Sequence, residues 1–246
     1  MDYVEQEYWD KSYEDLSLEF SNDDDALVQL ISKVLKSKGP DRGDVIEFGC
    51  YPGRFLKVFG DFGLCLHGID TTPKVTSLSA FFNSKGYCVG DFIRGDLFKY
   101  SPGKKFDIVC SFGFIEHFQN WEEVVLLHLK FVKQGGLIFI TVPNFRGFFQ
   151  QQFHGFFDKE NLDRHNLKAM DVKQWNAVLK KNNIQYDILF EGPFGNIEFW
   201  VDEEKRSRLK RFVLSKSLII LNHLRKLKLP PSTSYSPYLG LIIKLK

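Results

Sequence analysis

Short apolar runs alternate along the chain with stretches of helical periodicity. The clearest runs are each bounded by Gly, Pro or charged residues, and they lie at 45–50, 64–70, 106–112 and 137–142. Continuous apolar runs of this length are typical of parallel strands buried on both faces. Helical spacing follows at 54–59, 73–84 and 120–132, with Pro73 in a first turn and Asn120 as a cap. This alternation predicts a doubly wound α/β fold.

Weaker patterns complete the predicted sheet. A strand at 87–93, a helix at 171–182, a strand at 184–190 and a final strand at 238–245 bring the number of strands to about seven. The sequence therefore predicts a Rossmann-like, mostly parallel seven-stranded sheet with helices on both faces. At 246 residues, one such core with added segments is the simplest organisation.

Three segments fall outside this core. Residues 1–40 contain the acidic stretch 22–25 before an apolar-periodic helix, and they are expected to form an N-terminal helical lid on a core of residues 41–246. An insertion at about 143–170 is rich in Phe. A second insertion, at about 193–237, is long for a connection in a compact domain and is expected to hold a helix of its own.

Composition narrows the class of protein. An apolar fraction of 43% with 25 Phe fits a globular protein with an aromatic interior. The net charge of +2 implies no general attraction to nucleic acid, so no nucleic-acid partner is predicted. Residues 1–5 are acidic and lack the order of a signal peptide, and no apolar stretch is long enough to span a membrane. A cytoplasmic protein is therefore expected.

The four cysteines are well separated, at Cys50, Cys65, Cys88 and Cys110, each in or beside a predicted strand. No Cys-x-x-Cys spacing occurs, so neither a disulfide framework nor a zinc site is indicated. Buried free thiols are expected at all four positions.

The turn after the first predicted strand carries the strongest chemical signal. A dinucleotide fold would have Gly-x-Gly-x-x-Gly, but Tyr51 and Arg54 occupy its second and third glycine positions. The alternative pattern, an acid followed two and six positions later by Gly, is met by Glu47, Gly49 and Gly53. This resembles the first motif of class I S-adenosylmethionine-dependent methyltransferases, and the resemblance covers about residues 45–145.

The resemblance implies a binding site for S-adenosylmethionine. Glu47 would balance the ammonium group of the donor, Asp96 would accept a hydrogen bond from the adenine amine, and Leu97 would offer its backbone amide. Ser111 and Phe112, after the fourth strand, would line the sulfonium end. The residues Cys50, Tyr51 and Thr71 complete the predicted donor site.

Asp70 ends the second predicted strand, 21 positions after Gly49, where an acid can accept both ribose hydroxyls. This spacing fits nicotinamide nucleotides equally well. Asp70 and Asp96 could also be helix caps or solvated loop acids. Their order favours a site, because Gly49, Asp70, Asp96 and Ser111 follow successive strands, where an open α/β sheet binds ligands.

Tyr51 departs from the family, which mostly has Gly at that position. A bulky residue would resist a positive φ and crowd the donor. Because Pro52 restricts the preceding residue to extended geometry, the turn is expected to adopt a conformation that non-glycine residues tolerate.

Candidate catalytic bases are His117, after the fourth strand, and His154, in the first insertion. A histidine at 117 is equally consistent with a helix cap or a backbone hydrogen bond. Some relatives bind a metal through Glu-x-x-Glu-His at this place. Gly113 replaces the first acid here, so no metal site is predicted, and metal binding by Glu116 and His117 stays open only as an alternative.

The acceptor side of the site is less defined. Residues 153–166 combine aromatic rings with His, Asp, Arg and Asn, a mixture that suits a small or glycan-like acceptor and equally a loop anchored by its Phe residues. Residues 203–229 form a basic amphipathic pattern, typical either of a helix with a solvated face or of peripheral contact with an anionic membrane. The chain is also similar to bacterial methyltransferases of surface-polysaccharide synthesis, including its Ser236-Pro237-Tyr238.

Together these patterns predict an O-methyltransferase that uses S-adenosylmethionine. Two alternatives stay open: a protein that binds the donor without catalysis, favoured by Tyr51, and a nicotinamide-dependent oxidoreductase, favoured by Asp70 but opposed by the glycine spacing.

Overall fold

The computed structural model describes residues 4, 6–14, 16–199, 214, 216–217, 223, 225–227 and 229–246. Within these residues, every helix is too short or too polar to cross a bilayer.

A seven-stranded sheet forms the centre of the molecule. Its strands, in chain order, are β1 Gly43–Phe48, β2 Leu64–Asp70, β3 Val89–Arg94, β4 Phe106–Phe112, β5 Val132–Pro143, β6 Tyr186–Phe194 and β7 Tyr238–Leu245. Their order across the sheet is β3-β2-β1-β4-β5-β7-β6. The first five pair in parallel, and β7 lies antiparallel between β5 and β6.

Helices cover both faces of the sheet. They are α1 Gln6–Ser12, α2 Ala26–Lys38, α3 Leu56–Asp61, α4 Ser77–Ser84, α5 Trp121–Phe131, α6 Phe148–Phe157, α7 Lys159–Asp163 and α8 Val172–Lys181. Short 3₁₀ helices occur at Pro73–Thr76, Ile115–His117 and Leu167–Ala169. The predicted fold class is confirmed.

Two separate hydrophobic clusters explain why the sheet is buried on both sides. On one face Trp121 of α5 and Trp175 of α8 pack against the sheet, and on the other Ile31 of α2, Phe59 of α3 and Phe82 of α4 do so. Helices cover both faces of the central strands, so these strands are apolar on both sides. This explains the continuous apolar runs in the sequence.

The strand order reverses between β1 and β4. From this pair, β2 and β3 extend the sheet on one side and β5, β7 and β6 extend it on the other. In an open α/β sheet, the loops leaving the carboxyl ends of the strands separate at such a point and leave a crevice. The turn after β1 and the loop after β4 therefore form opposite walls of one site.

The cysteine prediction was wrong at two positions. Cys65 and Cys88 form a disulfide with a Cα–Cα distance of 4.5 Å, whereas Cys50 and Cys110 are buried free thiols. Cys65 lies in β2 and Cys88 immediately precedes β3, and these strands pair in parallel. Sequence spacing could not reveal this pair, because strand pairing brings residues 23 positions apart into contact.

The described residues include all of the first predicted insertion and only part of the second. Residues 143–170 hold α6, α7 and a 3₁₀ helix, so they are helical where an extended loop was one expectation. Most of the basic stretch 203–229 lies outside the described residues, and with it the helix expected there.

Candidate active site

A cavity of about 570 Å³ opens in the crevice at the carboxyl ends of β1, β2, β3 and β4. Its walls come from the turn after β1, from the ends of β2 and β4, from residues 95–98, from the loop 112–120 and from the N-terminal segment. A volume of this size is typical of sites that enclose a cofactor or a small ligand.

The turn after β1 depends on its glycines. Gly49 and Gly53 have φ values of 66° and 82°, in the left-handed region that favours glycine. A Cβ atom at position 49 would lie 2.3 Å from Cδ2 of Phe114, so any side chain there would also clash. Position 49 thus requires glycine both for its backbone angle and for the space beside the cavity.

Tyr51 adopts a negative φ, as the following proline predicts, and its peptide bond to Pro52 is cis. Its side chain is buried, its ring lies 4.9 Å from the ring of Tyr13, and its backbone amide donates to Oδ2 of Asp70 at 3.0 Å. Tyr51 lines the cavity without filling it. The turn after β1 therefore accommodates Tyr51 at the position where most family members have glycine.

Glu47 is the penultimate residue of β1. It is not among the residues that line the cavity, and only 4% of its surface is exposed. Its Oε2 atom has no hydrogen bond within the described part of the chain. Burial, and then the neighbouring Asp70, raise the pKa of Glu47 well above its usual value. Two acids at one end of the site, one of them with an unsatisfied buried oxygen, favour a cationic ligand group.

Asp70 lines the cavity at the end of β2, beside Thr71. Its carboxylate accepts the backbone amides of Tyr51 and Thr72, each at 3.0 Å, which fixes its orientation. Burial raises its pKa despite these bonds. Each carboxylate oxygen retains a lone pair with which to accept a hydroxyl.

Asp96 and Leu97 line the cavity after β3. The Asp96 carboxylate accepts the amide of Phe98 at 2.9 Å and pairs with Lys99 at 3.0 Å. Partial burial opposes its charge, but these two partners lower the pKa of Asp96. It is therefore an ionised acceptor at the far end of the cavity from Glu47.

Three further predicted donor residues do not reach the cavity wall. Cys50 and Gly53 support the turn from behind, and Ser111 is fully buried within β4, where its hydroxyl bonds Nε2 of His128 at 3.0 Å. Phe112, the next residue, does line the cavity. Adjacent residues of a strand point to opposite faces, so only one of the two could do so.

His117 lines the cavity in the 3₁₀ helix after β4, and 12% of its side chain is exposed. The ring centres of Trp9 and His165 each lie 4.8 Å from the ring centre of His117. Burial, and then His165, lower the pKa of His117 to about 3. It is therefore a neutral imidazole at neutral pH, and a weak base in the free protein.

His154, the other candidate base, is not brought to the cavity. It is fully buried in α6, where rings of Phe145 and Phe153 lie 4.4 and 5.9 Å away. Among the described residues that line the cavity, none comes from the insertion 143–170. Most aromatic residues of that insertion lie in α6, and its His165 contacts the site only through the ring of His117.

The N-terminal segment supplies cavity residues that no sequence pattern indicated, Trp9 and Tyr13 among them. Lys74, after β2, holds this segment in place by donating to the carbonyl oxygens of Tyr13 and Glu14. Other unpredicted lining residues are Phe98, Phe114, Phe118 and Asn120. The only sequence signal for them was the aromatic run after β4.

The site therefore combines a glycine turn, acids after three strands and an aromatic, histidine-bearing opposite wall. This arrangement defines an α/β enzyme that binds a nucleoside with a cationic group, since the site lacks the glycine register that cradles a pyrophosphate.

Residues 20–187, well over half of the chain, match the methyltransferase domain family. No curated protein sequence matches the chain. A solved S-adenosylmethionine-dependent methyltransferase from Thiobacillus denitrificans, in complex with S-adenosyl-L-homocysteine, is 15% identical, with a TM-score of 0.59 and complete coverage of both chains. One from Archaeoglobus fulgidus is 20% identical, with a TM-score of 0.53 and coverage of 88% of this chain and 94% of its own.

The N-methyltransferase NodS from Bradyrhizobium japonicum is 11% identical, with a TM-score of 0.55 and coverage of 99% and 94% of the two chains. At such identities these likenesses concern the fold. The match to the family model goes further, and the chain belongs to the methyltransferase domain family. It is a class I methyltransferase, which excludes the oxidoreductase that Asp70 alone had allowed.

Proposed function

We propose that this protein transfers a methyl group from S-adenosylmethionine to a hydroxyl group of a small, glycan-like acceptor. The observation that carries the proposal is the polarity of one cavity, with Asp70 lining the end formed by β1 and β2, close to the buried Glu47, and aromatic rings around a neutral histidine at the other. The first end suits the donor, and the second suits an acceptor that approaches its methyl group.

The residues at the donor end fit S-adenosylmethionine. The unsatisfied Oε2 of Glu47 matches its ammonium group, and Gly49 presents its backbone to the cavity. Asp70 would accept the ribose hydroxyls and Asp96 the adenine amine. When bound, the donor supplies an activated methyl group on a sulfonium, and the protein has to align the acceptor with it and exclude water.

At the acceptor end, Phe114, Phe118 and Trp9 offer apolar rings on which the apolar face of a sugar can stack. Oδ1 of Asn120 is buried and has no hydrogen bond within the described residues, so it can accept a bond from an acceptor hydroxyl. His117 lines this end of the cavity and is neutral, so it would take the hydroxyl proton, and the bound acceptor would have to raise its basicity because its pKa is about 3 in the free protein. The residues 1–40 are proposed to act as a lid, since α1 covers this end.

Binding of the donor is tested by thermal unfolding with S-adenosylmethionine, S-adenosylhomocysteine and NAD. At a concentration of about 100 times Kd, a ligand of the native state adds about 2.7 kcal/mol, which raises Tm by roughly 5–10 °C in a chain of this size. We expect this for the first two compounds. Stabilisation by NAD alone would refute the proposed donor.

Catalysis is tested with labelled donor and a series of sugars and nucleotide sugars. His117→Gln should lower kcat by roughly 10²- to 10⁴-fold and leave the affinity for S-adenosylhomocysteine unchanged, because a base acts on the acceptor alone. Glu122→Gln, on the exposed side of α5, serves as the control. Donor binding without transfer to any hydroxyl compound would instead favour a protein that only binds the donor, and transfer to an amine would refute the acceptor class.

We also propose that the basic stretch 203–229 contacts an anionic membrane surface, near which a surface-glycan acceptor would be made. The support is its composition, nine Lys or Arg against two Glu, interleaved with apolar residues.

A further inference from the structure

We propose that Glu116, His117 and His165 bind a divalent transition-metal ion at the acceptor end of the cavity. The use of this ion in catalysis rests on the function proposed above, but its binding does not. The three side chains each present a ligand atom, and these atoms all lie within 4.8 Å of one another.

The spacing of the ligand atoms is close to that of a metal site. Oε1 of Glu116 lies 3.8 Å from Nε2 of His117. Two ligands of a tetrahedral ion, each about 2.1 Å from the metal, lie about 3.4 Å apart. This pair is slightly too far apart, and the whole set, spread over at most 4.8 Å, would have to close around an ion by side-chain rotation.

Unsatisfied polar atoms provide the second, independent observation. Glu116 is fully buried, and neither of its carboxyl oxygens has a hydrogen bond within the described residues. Nδ1 of His117 is also buried without a partner among those residues. Buried polar groups in folded proteins are normally hydrogen-bonded, so a carboxyl with two unsatisfied oxygens beside two imidazoles indicates a missing ligand.

His165 is oriented as metal-binding histidines are. Its Nδ1 bonds the backbone oxygen of Asn161 at 2.6 Å, which leaves Nε2 with its lone pair free to coordinate. Asn166 ties this segment to the 3₁₀ helix, since its backbone amide donates to the backbone oxygen of Glu116 at 2.8 Å and its side chain to that of Phe118 at 2.9 Å. The ligands from two distant segments are thereby held together.

The open side of the cluster faces the cavity. His117 and Gly113 both line it, and a Cβ atom at position 113 would lie 3.5 Å from Oε1 of Glu116. The position where the sequence departs from a metal-binding motif therefore adjoins the Glu116 carboxylate. The third ligand is His165, which that motif does not contain.

A second cluster of similar residues differs because its ligand atoms already have bonding partners. Asp44, Cys65 and His67 are also close together, but Cys65 is in the disulfide, and Asp44 pairs with Lys104 at 3.0 Å and with His67 at 2.9 Å. Its ligand atoms have partners already, so we expect it to bind no ion.

Two imidazoles and a carboxylate suit Mn²⁺, Fe²⁺, Co²⁺ or Zn²⁺, and three protein ligands leave positions for a substrate. Arg164, held on the ring of Tyr8 at 4.5 Å, adds a nearby positive charge that moderates the affinity. An acceptor hydroxyl bound to the ion would lose its proton to water, and its oxygen would bond the methyl carbon as the carbon–sulfur bond breaks. His117 would then serve as a ligand in place of a base.

The test is calorimetric titration of the metal-depleted full-length protein with MnCl₂ and ZnCl₂, with neither donor nor acceptor present. We expect saturable binding of one ion per chain, weakened at least about tenfold in both Glu116→Gln and His165→Gln. His67→Gln, in the satisfied cluster, should bind as the wild type does. The thermal shift with S-adenosylhomocysteine verifies that each variant is folded, and if one is not, the other decides.

Absence of binding, or unchanged binding in a folded Glu116→Gln or His165→Gln, would overturn the site and leave the proposed function standing. Loss of binding in His67→Gln would overturn it in favour of the other cluster. If the ion binds but methyl transfer is unaffected by a chelator, its assignment to the acceptor is wrong.

Discussion

At the scale of single residues, Glu47 shows how burial prepares a site for its ligand. Its carboxyl is enclosed under the turn after β1, next to Asp70, so its charged form is disfavoured in the free protein. A cation arriving at Oε2 would reverse this, because opposite charge stabilises the carboxylate. In the proposed site, Glu47 would therefore make donor binding sensitive to pH.

Donor affinity should rise with pH. Since the pKa of Glu47 is raised in the free protein and lowered by the bound ammonium group, binding releases a proton and is weaker at pH 6 than at pH 7.5. Calorimetry with S-adenosylhomocysteine in buffers of different ionisation enthalpy measures the proton release directly.

Glu47→Gln should remove this dependence and weaken binding roughly 10- to 100-fold, in line with the loss of about 1.5–3 kcal/mol for a charged hydrogen bond. Glu122→Gln is the matched control, because its side chain is exposed on α5. Proton uptake on binding, or an unchanged pH dependence in Glu47→Gln, would contradict this account of the residue.

At the scale of elements, the pairing of β2 with β3 places Cys65 against Cys88 at the amino-terminal end of the sheet, away from the cavity. The closed loop contains α4 and the 3₁₀ helix Pro73–Thr76. Constraining a loop of this length stabilises a fold by about 3 kcal/mol in the chain-entropy account.

Thiol titration in denaturant should give two free thiols per chain before reduction, those of Cys50 and Cys110, and four after it. Because the disulfide is remote from the cavity, Cys65→Ser with Cys88→Ser should lower the free energy of unfolding by about 3 kcal/mol and leave donor affinity unchanged. Four thiols without reductant would disprove the pair in the isolated protein.

Elements were the features that the sequence predicted best. Each clear apolar run became a strand. A strand that is buried on both faces is apolar at nearly every position, so it stands out in the sequence as a continuous apolar run. The insertion 143–170 was the exception. Its Phe residues recur at helical spacing in α6, but their number had equally suggested an anchored loop.

At the scale of the whole molecule, charge is distributed unevenly. The chain carries a net charge of +2, yet the stretch 203–229 alone contributes seven more positive than negative side chains, nine against two. The remaining chain is therefore net acidic. A single basic segment on an otherwise acidic protein would orient it on an anionic surface.

The protein should co-sediment with vesicles containing phosphatidylglycerol at low ionic strength and dissociate as salt is added, because screening weakens charge attraction over about 8–10 Å near physiological strength. Lys210→Glu with Arg211→Glu should reduce binding, with Lys57→Glu on α3 as the control. Equal binding to neutral phosphatidylcholine vesicles, or no binding at all, would refute the membrane contact.

The sequence by itself determined the strands, their alternation with helices and the acids that end β1, β2 and β3. Those features are local, because the burial of a strand and the geometry of a glycine turn depend on neighbouring residues. The order of the strands along the chain predicted that Glu47, Asp70 and Asp96 border one crevice; Asp70 and Asp96 line the cavity, and Glu47 is buried next to Asp70.

Only the tertiary structure determines which side chains lie next to one another. It buried Ser111 and His154 away from the cavity, brought Trp9 and the distant His165 to His117, and paired Cys65 with Cys88. Such contacts join residues that are far apart in the chain, and no periodicity records them. The acceptor end of the site is made of these contacts, whereas the donor end follows the order of the strands.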